Sequence, residues 1–236
     1  MNRKLTFSVG LNVLLIAILV FVFVNDKGSD QVKSQEKKMA DVLRPEHYEQ
    51  RSNLFSRLPI TEKDIVMFGD SMILYNEWDE QFPNLHIVNR GIGGDTTAGL
   101  LRRLPDVTMG QPQKIVIMIG TNDLSLKVPQ KKIIENYQLL ITQIKEQTPK
   151  TKIILTTVLP FNEDIRSTKV ENGQIMKLNE EIRNLAKQNN VLLVDLYDVF
   201  LKGHQLNKAY TSDGLHLNGE GYAIWQQKLA KVLEEK

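Results

Sequence analysis

Ser71 combines a nucleophilic side chain with a position at the end of a predicted buried strand. The four residues of Ile65–Phe68 are apolar, and Gly69, Asp70 and Ser71 follow them directly. Open parallel sheets bind ligands at such strand ends, where the next helix offers free N–H groups and its positive dipole end. We therefore expect Ser71 to lie where an oxyanion can be stabilised. Asp and Ser are also common helix N-caps, so a purely structural role is the alternative.

Asp213 and His216 lie three residues apart in a predicted turn near the carboxyl end. This spacing lets the carboxylate hold one imidazole nitrogen while the other nitrogen points toward a nucleophile. The pair therefore has the types and spacing of the orienting half of a catalytic triad. Of the other histidines, we assign His47 and His204 to surface positions and His86 to packing within a strand.

Two further predicted strands end in residues that suit a ligand site. The strand at 85–89 leads into Gly-Ile-Gly-Gly-Asp, which contains Gly94, and the strand at 114–119 leads into Gly-Thr-Asn-Asp, which contains Asn122. Glycine permits close approach of the backbone to a ligand, and an Asn amide can donate into the same crevice. Simple turns are the alternative for both loops. A dinucleotide-binding loop does not fit, because its third glycine position holds Thr96.

Four stretches in this order resemble the four conserved blocks of the SGNH (GDSL) hydrolases: Gly69-Asp70-Ser71, Gly94, Asn122 and Asp213-x-x-His216. The residue sequences of the first two stretches, Gly-Asp-Ser-Met and Gly-Ile-Gly-Gly-Asp-Thr-Thr, are most similar to those of the catalytic subunits of platelet-activating-factor acetylhydrolases and their bacterial relatives. The resemblance implies that Ser71 is the nucleophile, His216 the general base and Asp213 its orienting carboxylate. It also implies an oxyanion hole made by the N–H groups of Ser71 and Gly94 and the side-chain amide of Asn122.

The resemblance implies a serine ester hydrolase that needs no cofactor, but the predicted amino-terminal membrane anchor departs from the acetylhydrolase subunits, so their substrate does not carry over. We expect the enzyme to remove acetyl or other short acyl groups from envelope glycans or small-molecule esters, which the anchor, the full triad and the absence of a metal site favour. Two alternatives remain open. One is a lipid-acting esterase or thioesterase of the lysophospholipase kind, for which a position next to a bilayer would be suitable. The other is a non-catalytic binding module on the same fold, since a fold alone does not establish a chemistry.

The predicted strands alternate with helices along the chain, which indicates an α/β fold with a parallel sheet covered by helices on both faces. We expect three α/β/α layers of the flavodoxin-like kind, with five parallel strands. The predicted strands are 65–71, 85–89, 114–119, 152–158 and 191–195. The predicted helices are a lead-in helix before Pro59, one from Met72 through Trp78, one capped by Asp95, one over 133–144, one over 176–189 and a terminal helix after Asn218.

Composition narrows the possible partners. The 236 residues include 30 basic and 28 acidic side chains, for a net charge of +2. This balance does not favour binding to nucleic acid. The chain has no cysteine, which excludes disulfides and thiolate metal sites, and its four histidines lack the close spacing of a zinc pair. We therefore expect no metal, and the sequence leaves the oligomeric state open.

The amino-terminal residues predict a membrane anchor. Leu5–Val24 contains no charged residue, and a helix of that length would span roughly 30 Å of hydrocarbon. A cleaved signal peptide fits less well, because bulky residues occupy the place of a small-residue cleavage site. We predict a single-pass anchor at 1–24, a polar linker at 25–38 and a hydrolase domain at 39–236. The catalytic domain is expected outside the cytoplasmic membrane, since a long domain can translocate largely regardless of flanking charges.

Overall fold

The core of the molecule is a five-stranded parallel sheet, and the computed structural model describes residues 46–233 of the chain. Its strands are β1 (Ile65–Gly69), β2 (Ile87–Gly91), β3 (Lys114–Met118), β4 (Lys152–Thr156) and β5 (Leu192–Val194). They lie in the order β2-β1-β3-β4-β5, and every neighbouring pair is parallel. The predicted fold class is confirmed for the sheet and its layers.

Helices cover both faces of the sheet. They are α1 (Glu46–Ser56), α2 (Ser71–Leu74), α3 (Trp78–Gln81), α4 (Thr97–Thr108), α5 (Thr121–Ser125), α6 (Gln130–Gln147), α7 (Asn172–Gln188), α8 (Tyr197–Phe200) and α9 (Gly219–Leu233). The two strands β6 (Leu201–Lys202) and β7 (Gln205–Leu206) form a small antiparallel pair that the sequence did not predict.

Alternating residues of each strand serve opposite layers, because side chains along a strand point to opposite faces. Val66 and Phe68 pack in the core beneath α4, α6 and α7. Ile65 and Met67 pack in the other core, with Trp225 of α9. All five residues of β1 are buried, as expected for a strand covered on both faces.

Several predicted boundaries are wrong in detail. The helix expected from Met72 through Trp78 is two short helices, α2 and α3, with a break between them. The strand expected at 85–89 is β2, which begins and ends two residues later. The helix expected from Met176 begins at Asn172 instead, because a capping box between Glu171 and Gln174 starts it earlier.

Asp95 and His86 have roles other than those predicted. Thr96 is the N-cap of α4, and its hydroxyl accepts a hydrogen bond from the Gly99 N–H at 3.2 Å. Asp95, the predicted cap, instead accepts a hydrogen bond from Nε of the buried Arg103 side chain at 2.7 Å. His86 is exposed and lies just before β2, so the prediction that it packs within a strand is wrong.

The predicted anchor at 1–24, the linker at 25–38 and the first residues of the predicted hydrolase domain lie outside the described residues. Within residues 46–233, no helix is both long enough and apolar enough to cross a bilayer.

Candidate active site

Ser71 is the first residue of α2, at the carboxyl end of the central strand β1. Asp70 caps this helix, with Oδ1 accepting the Met72 N–H at 2.9 Å. Gly69 is required just before it, since a Cβ there would lie 2.2 Å from the carbonyl oxygen of Met118 in β3. This close approach fixes the strand end, so the half-buried Ser71 hydroxyl is held at the rim of the sheet.

The structure brings Ser71, His216 and Asp213 together in one line of hydrogen bonds. Ser71 Oγ lies 3.0 Å from His216 Nε2, and His216 Nδ1 lies 2.7 Å from Asp213 Oδ2. One imidazole nitrogen therefore contacts the hydroxyl while the other contacts the carboxylate. This arrangement can move a proton off the hydroxyl and stabilise the resulting imidazolium.

The turn around Asp213 keeps its carboxylate ionised. Its second oxygen, Oδ1, accepts the N–H groups of Leu215 at 2.9 Å and His216 at 2.7 Å. Partial burial acts to raise the pKa of Asp213, but these hydrogen bonds and the His216 side chain outweigh it and lower the pKa to about 2. Asp213 is therefore negatively charged throughout the pH range in which an imidazole titrates.

Two side chains that contact the His216–Asp213 pair were not found by sequence reasoning. The ring of Tyr75 meets the His216 ring edge-on, with centroids 4.9 Å apart, although 57% of Tyr75 is exposed. Arg166 Nη1 lies 3.5 Å from Asp213 Oδ2. No pattern in the sequence distinguishes Tyr75 or Arg166, because both contacts depend on the folded positions of their neighbours.

The loop after β4 supports the same turn. The N–H of Asn162 donates to the Gly214 carbonyl at 2.8 Å. Gly214 has φ of 80°, and a Cβ there would lie 2.8 Å from Asn162 O and from Arg166 Cβ. The backbone at this glycine thus sets the position of Asp213 and His216.

Gly94 lies in the loop that follows β2, and Asn122 lies in the short helix α5 that follows β3; β2 and β3 are the two strands beside β1. Gly94 has φ of 78°, a conformation that favours glycine. Within residues 46–233, the N–H groups of Ser71 and Gly94 donate no hydrogen bond to the protein. The Asn122 side-chain amide donates a hydrogen bond to the Asp95 carbonyl at 2.9 Å. This bond connects the segment after β3 to the loop after β2. The geometry thus offers two unused N–H groups and a neighbouring amide.

Arg103 of α4 connects the strand ends that carry these loops. Its guanidinium donates to Asp95 Oδ2 at 2.7 Å, to the Arg90 carbonyl at 2.7 Å and to the Gly69 carbonyl at 2.9 Å. It also lies over the Phe68 ring, 4.4 Å from the centroid. Burial raises the pKa of Asp95, and Arg103 opposes that shift.

Asp123 and Asn89 make hydrogen bonds that hold the elements around the site. Asp123 accepts the Thr97 hydroxyl at 2.6 Å and the Thr97 N–H at 3.0 Å. Burial nevertheless raises the pKa of Asp123 to about 6. The Asn89 side-chain amide donates to the carbonyls of Ile73 at 3.0 Å and Asn76 at 3.1 Å, which holds the end of α2 against β2.

Among the residues that the structure describes, no three His, Asp or Glu side chains are grouped in a way that could hold a metal ion.

Comparison with known proteins gives consistent results. The model of the GDSL-like lipase/acylhydrolase family matches residues 68–224. Platelet-activating factor acetylhydrolase IB subunit alpha2 of Homo sapiens is 32% identical over 181 residues, which cover 74% of this chain and 76% of that protein. The matched range 68–224 includes Ser71, Gly94, Asn122, Asp213 and His216.

Solved structures agree in fold. A GDSL-like lipase from Bacteroides thetaiotaomicron has a TM-score of 0.69 at 29% identity and covers 79% of this chain and 97% of its own. An acetyl xylan esterase has a TM-score of 0.63 at 26% identity, with coverages of 72% and 98%. The similarity extends over nearly the whole length of both solved chains.

Proposed function

The chain belongs to the GDSL-like lipase/acylhydrolase family and is a carboxylic ester hydrolase, and we propose that Ser71, His216 and Asp213 are its catalytic triad. The observation that carries this proposal is the continuous line of contacts, 3.0 Å from Ser71 Oγ to His216 Nε2 and 2.7 Å from His216 Nδ1 to Asp213 Oδ2. Both distances lie within hydrogen-bond reach, as a nucleophile, its base and an orienting group require.

In the acylation step, Ser71 Oγ attacks the ester carbonyl carbon while His216 Nε2 takes the hydroxyl proton. The carbonyl electron pair moves onto oxygen and forms a tetrahedral oxyanion. When this intermediate collapses, the bond to the alcohol oxygen breaks and His216 gives its proton to that oxygen. Asp213 remains ionised and stabilises the transient imidazolium, in keeping with its lowered pKa.

Deacylation repeats these steps with water as the nucleophile. His216 takes a proton from water, the new oxygen–carbon bond forms, and the bond from the acyl carbon to Ser71 Oγ breaks. The proton then returns to Ser71, which releases the acid and restores the enzyme.

The N–H groups of Ser71 and Gly94 and the amide of Asn122 are the proposed oxyanion donors. Their support is that the two N–H groups make no hydrogen bond within the described part of the protein and that all three groups follow adjacent strands. One such donor typically contributes about 2.7–4 kcal/mol to transition-state stabilisation.

We propose a short acyl group, such as acetyl, as the part of the substrate that Ser71 receives. The support is the names of two relatives, a platelet-activating factor acetylhydrolase subunit and an acetyl xylan esterase. A membrane anchor at Leu5–Val24 with an extracytoplasmic domain remains our proposal from the sequence. A lipid ester is the alternative substrate that such an anchor favours.

The test combines covalent labelling with a substrate series. A serine-reactive phosphonate is expected to modify Ser71, and Ser71→Ala should lose both labelling and hydrolysis. Ser56→Ala is the matched control, because that exposed hydroxyl only bonds the Asn53 carbonyl. Activity of Ser71→Ala within tenfold of the wild type would show that the nucleophile is another residue.

The acyl preference is measured with the acetate, butyrate and octanoate esters of one aryl alcohol, so that the leaving group is the same in all three. We expect the highest kcat/KM for acetate. A maximum at octanoate would instead identify a lipid-acting esterase.

A further inference from the structure

Asp70 lies between the proposed nucleophile and one proposed oxyanion donor, and the mechanism above gives it no chemical role. Only 1% of its surface is exposed. While its Oδ1 accepts the Met72 N–H, its Oδ2 lies 3.5 Å from Asn122 Nδ2. The same nitrogen donates to the Asp95 carbonyl at 2.9 Å. A primary amide has two N–H groups, so Asp70 faces the N–H that the Asp95 carbonyl does not use.

The charged and titratable groups around Asp70 come from several elements. They are Asp95 after β2, Asp123 in α5, Arg103 in α4, Tyr137 in α6, Tyr222 in α9 and His216 beyond Ser71. The guanidinium of Arg103 binds the Asp95 carboxylate, and the two tyrosine hydroxyls donate to the carbonyls of Ile119 and Met72. None of these side chains, within the described residues, donates a hydrogen bond to Asp70.

This environment disfavours the ionised form of Asp70. Burial raises its pKa, the Met72 N–H opposes the shift, and the carboxylates Asp95 and Asp123 add to it, so that the pKa is about 7. Asp70 therefore changes charge in the neutral range, at a place where its charge bears directly on the Asn122 amide.

We propose that Asp70 is a positioning residue whose neutral form leaves the Asn122 amide available to the substrate oxyanion and whose ionised form withholds it. This inference rests on the proposed role of Asn122. A carboxylate at Asp70 would compete with the oxyanion for the Asn122 N–H, since a charged acceptor binds an N–H group more strongly than a neutral one. Its negative charge would also repel the developing oxyanion in a partly dry site.

The proposal determines the shape of the pH profile. On the acid side, kcat/KM rises with pH, because the proposed mechanism needs an unprotonated general base. On the alkaline side, kcat/KM falls as Asp70 loses its proton to solvent, with a limiting slope of about tenfold per pH unit. The expected profile of the free enzyme is a bell with its alkaline limb near neutrality.

The experiment measures kcat/KM of the full-length chain for phenyl acetate, a neutral ester, between pH 5 and 9 in a pH-stat. Asp70→Asn carries no ionisable group and should lose the alkaline limb while it retains the acid limb. Asp123→Asn is the matched control, because Asp123 lies in the same buried cluster but accepts from Thr97. Since the Asp123 charge raises the pKa of Asp70, this control should keep the alkaline limb and move it to lower pH.

A wild-type profile that stays flat between pH 7 and 9, or an alkaline limb that persists in Asp70→Asn, would overturn the proposal.

If circular dichroism shows that Asp70→Asn is unfolded, the wild type is labelled with ¹³C-aspartate and its carboxyl resonances are titrated. A carboxyl midpoint near pH 7 in the wild type that persists in Asp123→Asn but moves to lower pH supports the proposal, and the absence of such a midpoint rejects it. Phosphonate labelling of Ser71 in the same samples separates the two hypotheses, because a failed triad abolishes labelling whereas an inert Asp70 does not.

Discussion

At the scale of single residues, the Asn122 amide is shared between two tasks. It connects α5 to the loop after β2 through the Asp95 carbonyl, and it lies beside the carboxyl of Asp70. In the proposed mechanism, its second N–H turns to the oxyanion only when charge develops there. An interaction made only in the transition state lowers the barrier without tightening substrate binding.

Replacing Asn122 with alanine should therefore lower kcat by roughly 10²–10³ with little change in KM. Steady-state kinetics on an aryl acetate would measure both parameters. Asn189→Ala is a suitable control, because that amide lies at the end of α7 and bonds Gln138 and the Leu185 carbonyl. A higher KM at unchanged kcat would make Asn122 a ground-state binding residue instead.

At the scale of elements, the strand ends are held together by Arg103. Its three hydrogen bonds reach the end of β1, the strand β2 and the loop that carries Asp95. The guanidinium is also the cation that lies against the buried Asp95 carboxylate, at 2.7 Å. Ser71 and Gly94 follow β1 and β2, so this one side chain of α4 connects the backbone next to two proposed oxyanion donors.

Arg103→Met should reduce the free energy of unfolding by about 3–5 kcal/mol, because it leaves the buried Asp95 carboxylate without its partner. Urea denaturation followed by circular dichroism would measure the loss. The exposed pair Arg183–Asp195 provides the matched control, and Arg183→Met should cost no more than about 1 kcal/mol. Equal losses for the two variants would contradict the distinction between the buried and the exposed pair.

At the scale of the whole molecule, the hydrolase domain and the proposed anchor make separable contributions. We expect residues 39–236 alone to form a soluble, active esterase, and the full chain to sediment with membranes. Sedimentation after lysis without detergent, combined with an aryl acetate assay of each fraction, would measure both. The Ser71→Ala form of the same fragment controls for background esterases. A fragment that is soluble but inactive would place residues before 39 within the functional domain.

Orientation is tested by adding protease to intact cells, where an extracytoplasmic domain should be digested. Digestion only after permeabilisation would show that the domain lies in the cytoplasm. A cytoplasmic protein followed in the same samples confirms that the cells are closed.

The sequence alone predicted the five parallel strands, most of the long helices and the chemical types at the site. The apolar strand Ile65–Phe68, the helical spacing of α6 and the polar residues after β1, β2 and β3 are local patterns, so they predict structure without knowledge of contacts. The order of the motifs around Ser71, Gly94, Asn122 and His216 also indicated the family that the comparisons confirmed.

Only the tertiary structure decided which of these groups meet. The contact between Ser71 and His216 joins residues 145 positions apart, and no local pattern encodes a distance of 3.0 Å between them. The roles of Arg103, Tyr75 and Asp70 likewise depend on neighbours from other elements. Burial and long-range partners determine the charge state of a carboxyl and the hydrogen bonds of an amide, and both arise only when the strands assemble side by side.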